Sequence, residues 1–526
     1  MIDDLLPRPR AVVALGGTVQ WVSPLTVSAP ARFDGELDTF ARDLRRAVGW
    51  RVVRVARGAA LRVDEDASLA PGAYRLVVDD PSTIAASDGA GLSHALTTLR
   101  QLAPASWWSA VTAPATSQAL ARVQIEDAPR FAWRGVHLDV ARHFFDVDEV
   151  CRLIDLLAAH RLSHLHLHLN DDQGWRVALR AWPRLTEVGA WRASTPIGRA
   201  EDGRDDGVPY GGYYREADVA RLVAHAATRH VTLVPEVDLP GHAQAVLAAY
   251  PALANVAEPL SVATRWGISP HVLAPSPGAL DFVAEVVGAV ADLFPGSPVH
   301  VGGDECPTDE WSEHARPTMA AHGFTDPRQI QGLFSARAIA ALRERGREAL
   351  AWDEAMDAPL DLATIIVAWR DVSRAVAAAR RGHDVVLAAQ QRLYFDWANS
   401  ADPREPVAIT RPPQCTTWED VYGVAVVPEA LEGPLASRVR GAQAQLWTEY
   451  IADVAHLDYM AFPRLAAFAE VVWGTAGSLT EFRARLVSHL ARLDAAGVSY
   501  RPLDAGEAPW AVDPATSRAS TTTVHH

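Results

Sequence analysis

The sequence predicts an α/β chain in which a (β/α)8 barrel carries the chemistry and a small α+β domain precedes it. Three observations lead there. From Arg134 onward, short apolar runs that end in polar residues alternate with longer helical patterns, which implies parallel strands with right-handed crossovers. Eight such units fit a closed barrel better than an open sheet, and their polar ends gather acids and tryptophans where a barrel holds its active groups. Residues 1–125 lack that rhythm and carry few clustered acids or histidines.

In the first segment, 1–125, the β-rich run Gly72-Ala-Tyr-Arg-Leu-Val-Val-Asp lies close to the helical pattern Gly91-Leu-Ser-His-Ala-Leu-Thr-Thr-Leu-Arg-Gln-Leu. This reads as a domain without chemistry of its own, with Pro104 and Pro114 marking a connector. The barrel is assigned to 126–478. Its strands are expected at Gly135–Val140, His164–Asn170, Val231–Val237, Val299–Gly303, Ala349–Trp352, Thr364–Trp369, Val385–Ala388 and Gly441–Trp447. Helices are expected at Val147–Ala159, Ala217–Thr228, Leu280–Leu293, Gln329–Arg345 and Tyr459–Val472. A helical extension follows at 479–503, built on Leu479–Ala495 and available to pair subunits in a homodimer. The tail, 504–526, is expected to be disordered.

Composition narrows the function. The chain has 526 residues, 49% hydrophobic and 21% charged, ordinary values for a folded soluble protein. A net charge of −15 argues against a nucleic-acid partner. No apolar stretch reaches the ~18 residues of a membrane span, and the acidic start Met1-Ile-Asp-Asp is unlike a signal peptide, so a cytoplasmic location without membrane contact is expected. Cys151, Cys306 and Cys415 are odd in number and too far apart for a disulfide framework or a zinc site. There is no lysine, which removes Schiff-base, pyridoxal-anchor and P-loop chemistry, and no cofactor is expected. Seventeen tryptophans point the other way, toward sugars, whose C–H faces stack on indole rings.

The most informative motif is Val299-His-Val-Gly-Gly-Asp-Glu-Cys. Adjacent carboxylates at a strand end repel, so one of the two is expected to keep its proton near neutral pH, as a general acid must. The glycines are expected to let the backbone approach a ligand closely. A parallel-strand setting disfavours the alternative reading of Gly-Gly-Asp-Glu as a cyclic-dinucleotide synthase motif. The second motif is Leu162-Ser-His-Leu-His-Leu-His-Leu-Asn-Asp-Asp-Gln-Gly-Trp. Period-two alternation puts His164, His166 and His168 on one face. Such a face either binds zinc, as in a metal-dependent amidohydrolase, or forms a set of interior histidines hydrogen-bonded across the barrel. No further His–Asp set completes a ligand sphere in the sequence.

Seven co-linear motifs resemble the β-N-acetylhexosaminidases of glycoside hydrolase family 20. They are Arg134-Gly with Asp139-Val-Ala-Arg-His, His166-Leu-His-Leu-Asn-Asp-Asp-Gln-Gly-Trp, Val234-Pro-Glu-Val-Asp-Leu-Pro-Gly-His, His300-Val-Gly-Gly-Asp-Glu, Ala351-Trp-Asp-Glu, Tyr394-Phe-Asp and Gln445-Leu-Trp-Thr-Glu. The resemblance runs from about 130 to 475, and the first domain is also similar to that family's small non-catalytic domain.

The resemblance implies an exo-acting, retaining enzyme that releases terminal β-linked N-acetylglucosamine or N-acetylgalactosamine, with the substrate's 2-acetamido oxygen as nucleophile. It implies Glu305 as acid and then base, Asp304 as the partner of the acetamido N–H, and Tyr394 as a donor to the acetamido oxygen. It also implies a relay in which His242 touches Glu305 and Asp171 orients His242. For binding, it implies Arg142 across the C3 and C4 hydroxyls, with Asp396 and Glu449 accepting from the C4 or C6 side. Trp352, Trp369 and Trp447 would wall in the acetamido methyl and the sugar ring, and Trp418 would stack on the sugar beyond the cleaved bond. The Gly- and Asp-rich stretch Gly198–Gly212 departs from the pattern near the rim.

Overall fold

A computed structural model gives the architecture and describes residues 2–503. The tail expected to be disordered, 504–526, lies outside the described residues. The N-terminal domain is a seven-stranded sheet of β1 (Ala11–Val22), β2 (Leu25–Ser28), β3 (Val52–Arg54), β4 (Leu61–Glu65), β5 (Tyr74–Val78), β6 (Ser82–Ala86) and β7 (Ser117–Asp127), in the order β1-β7-β5-β6-β4-β2-β3. Helices α1 (Asp34–Val48) and α2 (Gly89–Leu102) pack on it. Strand β7 runs through the expected boundary at 125/126, so the join to the barrel falls just after Asp127. The stretch around Pro104 is part of this domain's core: Trp107 is buried there, edge-on to Trp50 with ring centroids 5.2 Å apart.

The larger part is a closed barrel of eight parallel strands. They are β8 (Trp133–Asp139), β9 (His164–His168), β10 (Thr232–Glu236), β11 (Val299–His300), β12 (Ala349–Trp352), β13 (Ile365–Ala368), β14 (Val385–Leu387) and β15 (Val439–Leu446). Each pairs with its sequence neighbour, and β15 closes the ring on β8. Strand β11 is shorter than expected because Gly302 and Gly303 adopt left-handed backbone, φ 66° and 97°, which ends the ladder.

Helices between the strands and after the last one form the outer layer: α3 (Val147–Ala159), α4 (Glu216–Thr228), α5 (Pro277–Leu293), α6 (Gln331–Glu344), α7 (Val372–Arg381), α8 (Val454–Ala461), α9 (Arg464–Trp473) and α10 (Leu479–Ala495). Local sequence sets their ends. Asp146 caps α3 in a reciprocal box with Glu149, and α7 starts on Asp371 and stops at left-handed Gly382. The single helix expected at Tyr459–Val472 is two, because Pro463 lacks the N–H that would continue α8. Helix α10 packs within its own chain through Phe482, which meets Trp418 and Tyr422.

Two apolar layers result. One lies between barrel and helices. The other fills the barrel with Trp133, Val234, Leu350, Ile365, Val367 and Val386. Beside that inner layer, the interior also holds buried polar groups: His137, His166, His168, Glu236, His300, Gln443 and Gln445. Two of the imidazoles meet hydrogen-bond partners across the barrel, Gln443 donating its amide to His166 Nδ1 at 3.0 Å and His168 facing Glu236, whereas, among the described residues, neither ring nitrogen of His137 has one and His164 turns to its neighbour Ser163.

Candidate active site

Every barrel strand delivers a polar or aromatic group to the same mouth. After β8, Asp139 accepts the backbone N–H groups of Ala141 and Arg142 at 2.8 and 3.1 Å, which shapes the turn that carries Arg142. The Arg142 guanidinium reaches Gln173 at 2.9 Å, Asp139 at 3.2 Å, Asp171 at 2.7 Å and Glu449 at 3.7 Å, and lies 5.2 Å from the Trp447 ring. Such a fork gathers carboxylates from β8, β9 and β15 around one cation.

The loop after β11 presents the adjacent acids in unlike surroundings. Asp304 is buried, 7% exposed, whereas the Glu305 side chain is 37% exposed. Burial, and then the Asp238 carboxyl, push the Asp304 carboxyl well above the usual range. Asp238 is itself raised to about 6 by burial, and its carboxyl lies close to that of Asp304, an arrangement in which two buried acids favour one proton between them. The acid expected to hold a proton is therefore the buried Asp304, through Asp238 rather than through Glu305. The glycines serve the same contact. Gly303 N–H donates to Asp238 Oδ1 at 2.9 Å, and a Cβ on Gly302 would lie 1.9 Å from that oxygen, so Gly302 makes room for Asp238 rather than for a ligand.

The relay residues converge with one long link. His242 Nδ1 donates to Asp171 Oδ1 at 3.2 Å, and His242 Nε2 stands 3.8 Å from Glu305 Oε2, beyond a hydrogen bond. Burial would lower His242, but Asp171 outweighs it and holds the imidazole protonated well above its ordinary range. For Asp171 burial is likewise outweighed, by Arg142 first and then by His242, and the carboxylate stays ionised.

The aromatic residues form one cluster of Trp352, Tyr394, Trp447 and Trp369, joined by Trp397, which the motifs did not single out. Tyr394 stands between Trp369, 6.0 Å away, and Trp447, 6.4 Å away. Trp369 Nε1 donates to Glu354 at 2.9 Å, and burial with Asp304 nearby raises Glu354 to about 8. Trp352 is not an open wall: its whole side chain is buried, and its N–H donates to Glu236 at 2.6 Å. Asp396 and Glu449 face the same mouth. Burial raises both, Glu449 adds to the effect on Asp396, and Arg142 opposes it on Glu449.

Trp418 does not join the site. It packs against Phe482 of α10 at 5.7 Å in the outer core, so the sequence placed a packing tryptophan at the rim. Sequence reading also passed over Asp238 and Glu236, which sit inside the quoted Pro235-Glu-Val-Asp run but whose partners lie far along the chain. Among the described residues, sets able to hold a cation are His137/His166/Glu236, His168/Glu236/Asp238, Asp171/Asp172/His242 and Asp238/His242/Asp304.

Carboxylates set among indoles at the C-terminal mouth of a barrel suit a substrate that is polar at its hydroxyls and apolar at its C–H faces, which places this chain among the glycoside hydrolases. Comparison with known sequences gives the family. The glycosyl hydrolase family 20 catalytic domain matches residues 131–476, and domain 2 of the same family matches residues 3–128. The chain belongs to glycosyl hydrolase family 20.

A beta-hexosaminidase of Porphyromonas gingivalis is 35% identical over 418 residues, which are 78% of this chain and 52% of that protein, so the chain spans about half the length of that relative. A beta-N-acetylhexosaminidase of Cellulomonas fimi is 34% identical over 497 residues, 89% of each chain. Among solved structures, the family 20 exo beta-N-acetylglucosaminidase of Vibrio harveyi, in complex with N-acetylglucosamine, matches with a TM-score of 0.85 at 32% identity, over 95% of this chain and 79% of that one. The N-acetyl-beta-hexosaminidase of Streptomyces plicatus, in complex with Thio-NAglucal, matches with a TM-score of 0.83 at 31% identity, over 97% and 98%.

Proposed function

We propose that the chain is an exo-acting, retaining β-N-acetylhexosaminidase that releases terminal β-linked N-acetylglucosamine or N-acetylgalactosamine through an oxazolinium intermediate. The observation that carries this reading is the division of labour between the neighbouring acids. Glu305 faces outward, toward where a leaving oxygen would arrive, whereas Asp304 is buried with its charge felt at the Tyr394 hydroxyl, on the side where an acetamido group would fit. A protein nucleophile would have to face the anomeric carbon from the side opposite the acid, as one of two carboxyls flanking the bond. Relatives with N-acetylhexosaminidase names, and a neighbour that holds N-acetylglucosamine, support the substrate class.

In this mechanism Glu305 gives its proton to the glycosidic oxygen as the 2-acetamido oxygen attacks C1. Asp304 accepts the acetamido N–H and stabilises the charge that grows there, leaving the shared proton on Asp238. Tyr394 donates to the acetamido oxygen and aims it. Glu305, now a carboxylate, takes a proton from the water that opens the oxazolinium ring, and the configuration at C1 is kept. Arg142 holds the sugar hydroxyls, with Asp396 and Glu449 accepting from the far side of the ring.

Proton NMR of the first-formed product from chitobiose tests the stereochemistry, and a thiazoline mimic tests the intermediate. The β-anomer and competitive inhibition are expected. The α-anomer as first product, or a thiazoline that does not compete, contradicts the proposal.

A further inference from the structure

The chain of contacts behind Glu305 continues beyond Asp171. The outer oxygen of Asp171, Oδ2, faces His168 Nε2 at 2.8 Å, and His168 Nδ1 faces Glu236 Oε2 at 2.5 Å. The other oxygen of Glu236 accepts the Trp352 N–H at 2.6 Å. All four side chains are buried. A histidine with an ionised carboxylate at each nitrogen has two acceptors to satisfy, and only the imidazolium offers two donors. One line of contacts thus runs from the buried Trp352 to the acid through Glu236, His168, Asp171 and His242.

We propose that His168 and Glu236 are positioning residues for the acid–base step, setting the charge and orientation of Asp171 and through it the hold of His242 on Glu305. The inference rests on the function proposed above and deepens it. The surroundings of each group fit. Glu236 is faced by His168, by His300 Nδ1 at 2.9 Å, by His166 Nε2 at 3.2 Å and by His137 Nε2 at 4.0 Å, with Asp238 close to it and His168. Asp171 is faced by Arg142, His168 and His242, and His242 lies 3.6 Å from Asp172 and 3.8 Å from Glu305. Glu305 in turn has Asp304 as its chain neighbour. Burial works against charge on both members of the pair, yet each outweighs it in the other, with His168 protonated and Glu236 ionised.

The sign of the effect follows. Replacing Glu236 by Gln removes the anion that keeps His168 charged. Asp171 then loses one of its cations and holds the His242 imidazolium more firmly. His242 is already an imidazolium, so its charge is unchanged; with Asp171 no longer held from behind by His168, the orientation of His242 toward Glu305 changes instead, and proton delivery to a poor leaving group is expected to fail at lower pH.

The test measures kcat/KM against pH for wild type, Glu236→Gln, His168→Gln and Glu236→Asp, on chitobiose and on a dinitrophenyl N-acetylglucosaminide that leaves without a proton. For Glu236→Gln and His168→Gln, the expected loss on chitobiose is about 10–100-fold, against less than about threefold on the aryl substrate, with the alkaline limb moved about one unit down. Glu236→Asp keeps the charge and is expected to restore most of the wild-type limb. A merely structural role lowers both substrates together and leaves the limb in place. That result in folded Glu236→Gln overturns the proposal, and where that variant does not fold, the same result in His168→Gln overturns it. Proton NMR of the product that the wild-type enzyme releases from chitobiose separates the two readings: release of the α-anomer overturns the proposed function, whatever the variants do.

Discussion

Glu305 sits in left-handed backbone, φ 44°, and so does His242, φ 47°, a conformation that costs a non-glycine residue of order 1–3 kcal/mol. Both belong to the proposed relay, where the turned backbone leaves their side chains 3.8 Å apart. Replacing Glu305 by Gln keeps the shape and removes the proton, so turnover of chitobiose is expected to fall about 10²–10⁴-fold while dinitrophenyl substrates lose far less, measured as kcat on the two substrates. Equal losses on both would remove Glu305 from the acid role. Asp238 gives a prediction of opposite character. Its carboxyl, at about 6, lies close to that of Asp304 and keeps Asp304 protonated to higher pH. Asp238→Asn substitutes an amide donor for that acid, which eases ionisation of Asp304, so the acidic limb of kcat/KM is expected to move to lower pH. A limb that stays in place or rises would show that Asp304 does not draw on this partner.

The strand ends explain how much of the site could be read in advance. Most barrel strands are largely apolar runs that stop at polar residues, and the candidate groups lie just past the stop, so the positions of Arg142, Asp171, Asp304, Glu305 and Tyr394 could be read from order, while their roles came from the resemblance to family 20. The Glu236–His168 pair was not, because a period-two pattern tells which face a side chain shares but not what meets it across the barrel, 68 positions away in the chain. Trp418 failed for a related reason: nothing local separates a rim indole from one that packs under α10. The Gly302-Gly303 bend was visible as two glycines, but its purpose depends on Asp238 from the neighbouring strand end. Gly302→Ala tests that purpose. With φ at 66° and a Cβ 1.9 Å from Asp238, the substitution must displace the Asp304 loop, and the expected outcome is loss of turnover by about two orders of magnitude or more. Near-wild-type turnover would mean that the loop's position is unimportant.

A buried acid is one of the ties between the two domains, beside Arg161–Thr98 and Arg229–Asp43. Asp127, at the end of β7, accepts from Trp473 Nε1 at 2.9 Å, from Tyr74 at 3.1 Å and from Arg161 at 3.0 Å, and so joins the N-terminal sheet to α9 and to the turn after α3. Asp127→Ala strands the Arg161 charge in the interior. It is expected to cost about 3–5 kcal/mol in denaturant unfolding while leaving kcat of the folded enzyme close to wild type. An unchanged unfolding midpoint would show that the domains do not depend on this network.

At the other end of the molecule, the mouth of the barrel works as proposed only if the sugar supplies its own nucleophile. Rates on aryl glycosides bearing N-acetyl, N-fluoroacetyl, N-difluoroacetyl and N-trifluoroacetyl groups measure this, because each fluorine makes the amide oxygen a poorer attacker. A steep, progressive fall in kcat/KM along the series is predicted, and a flat series would contradict it.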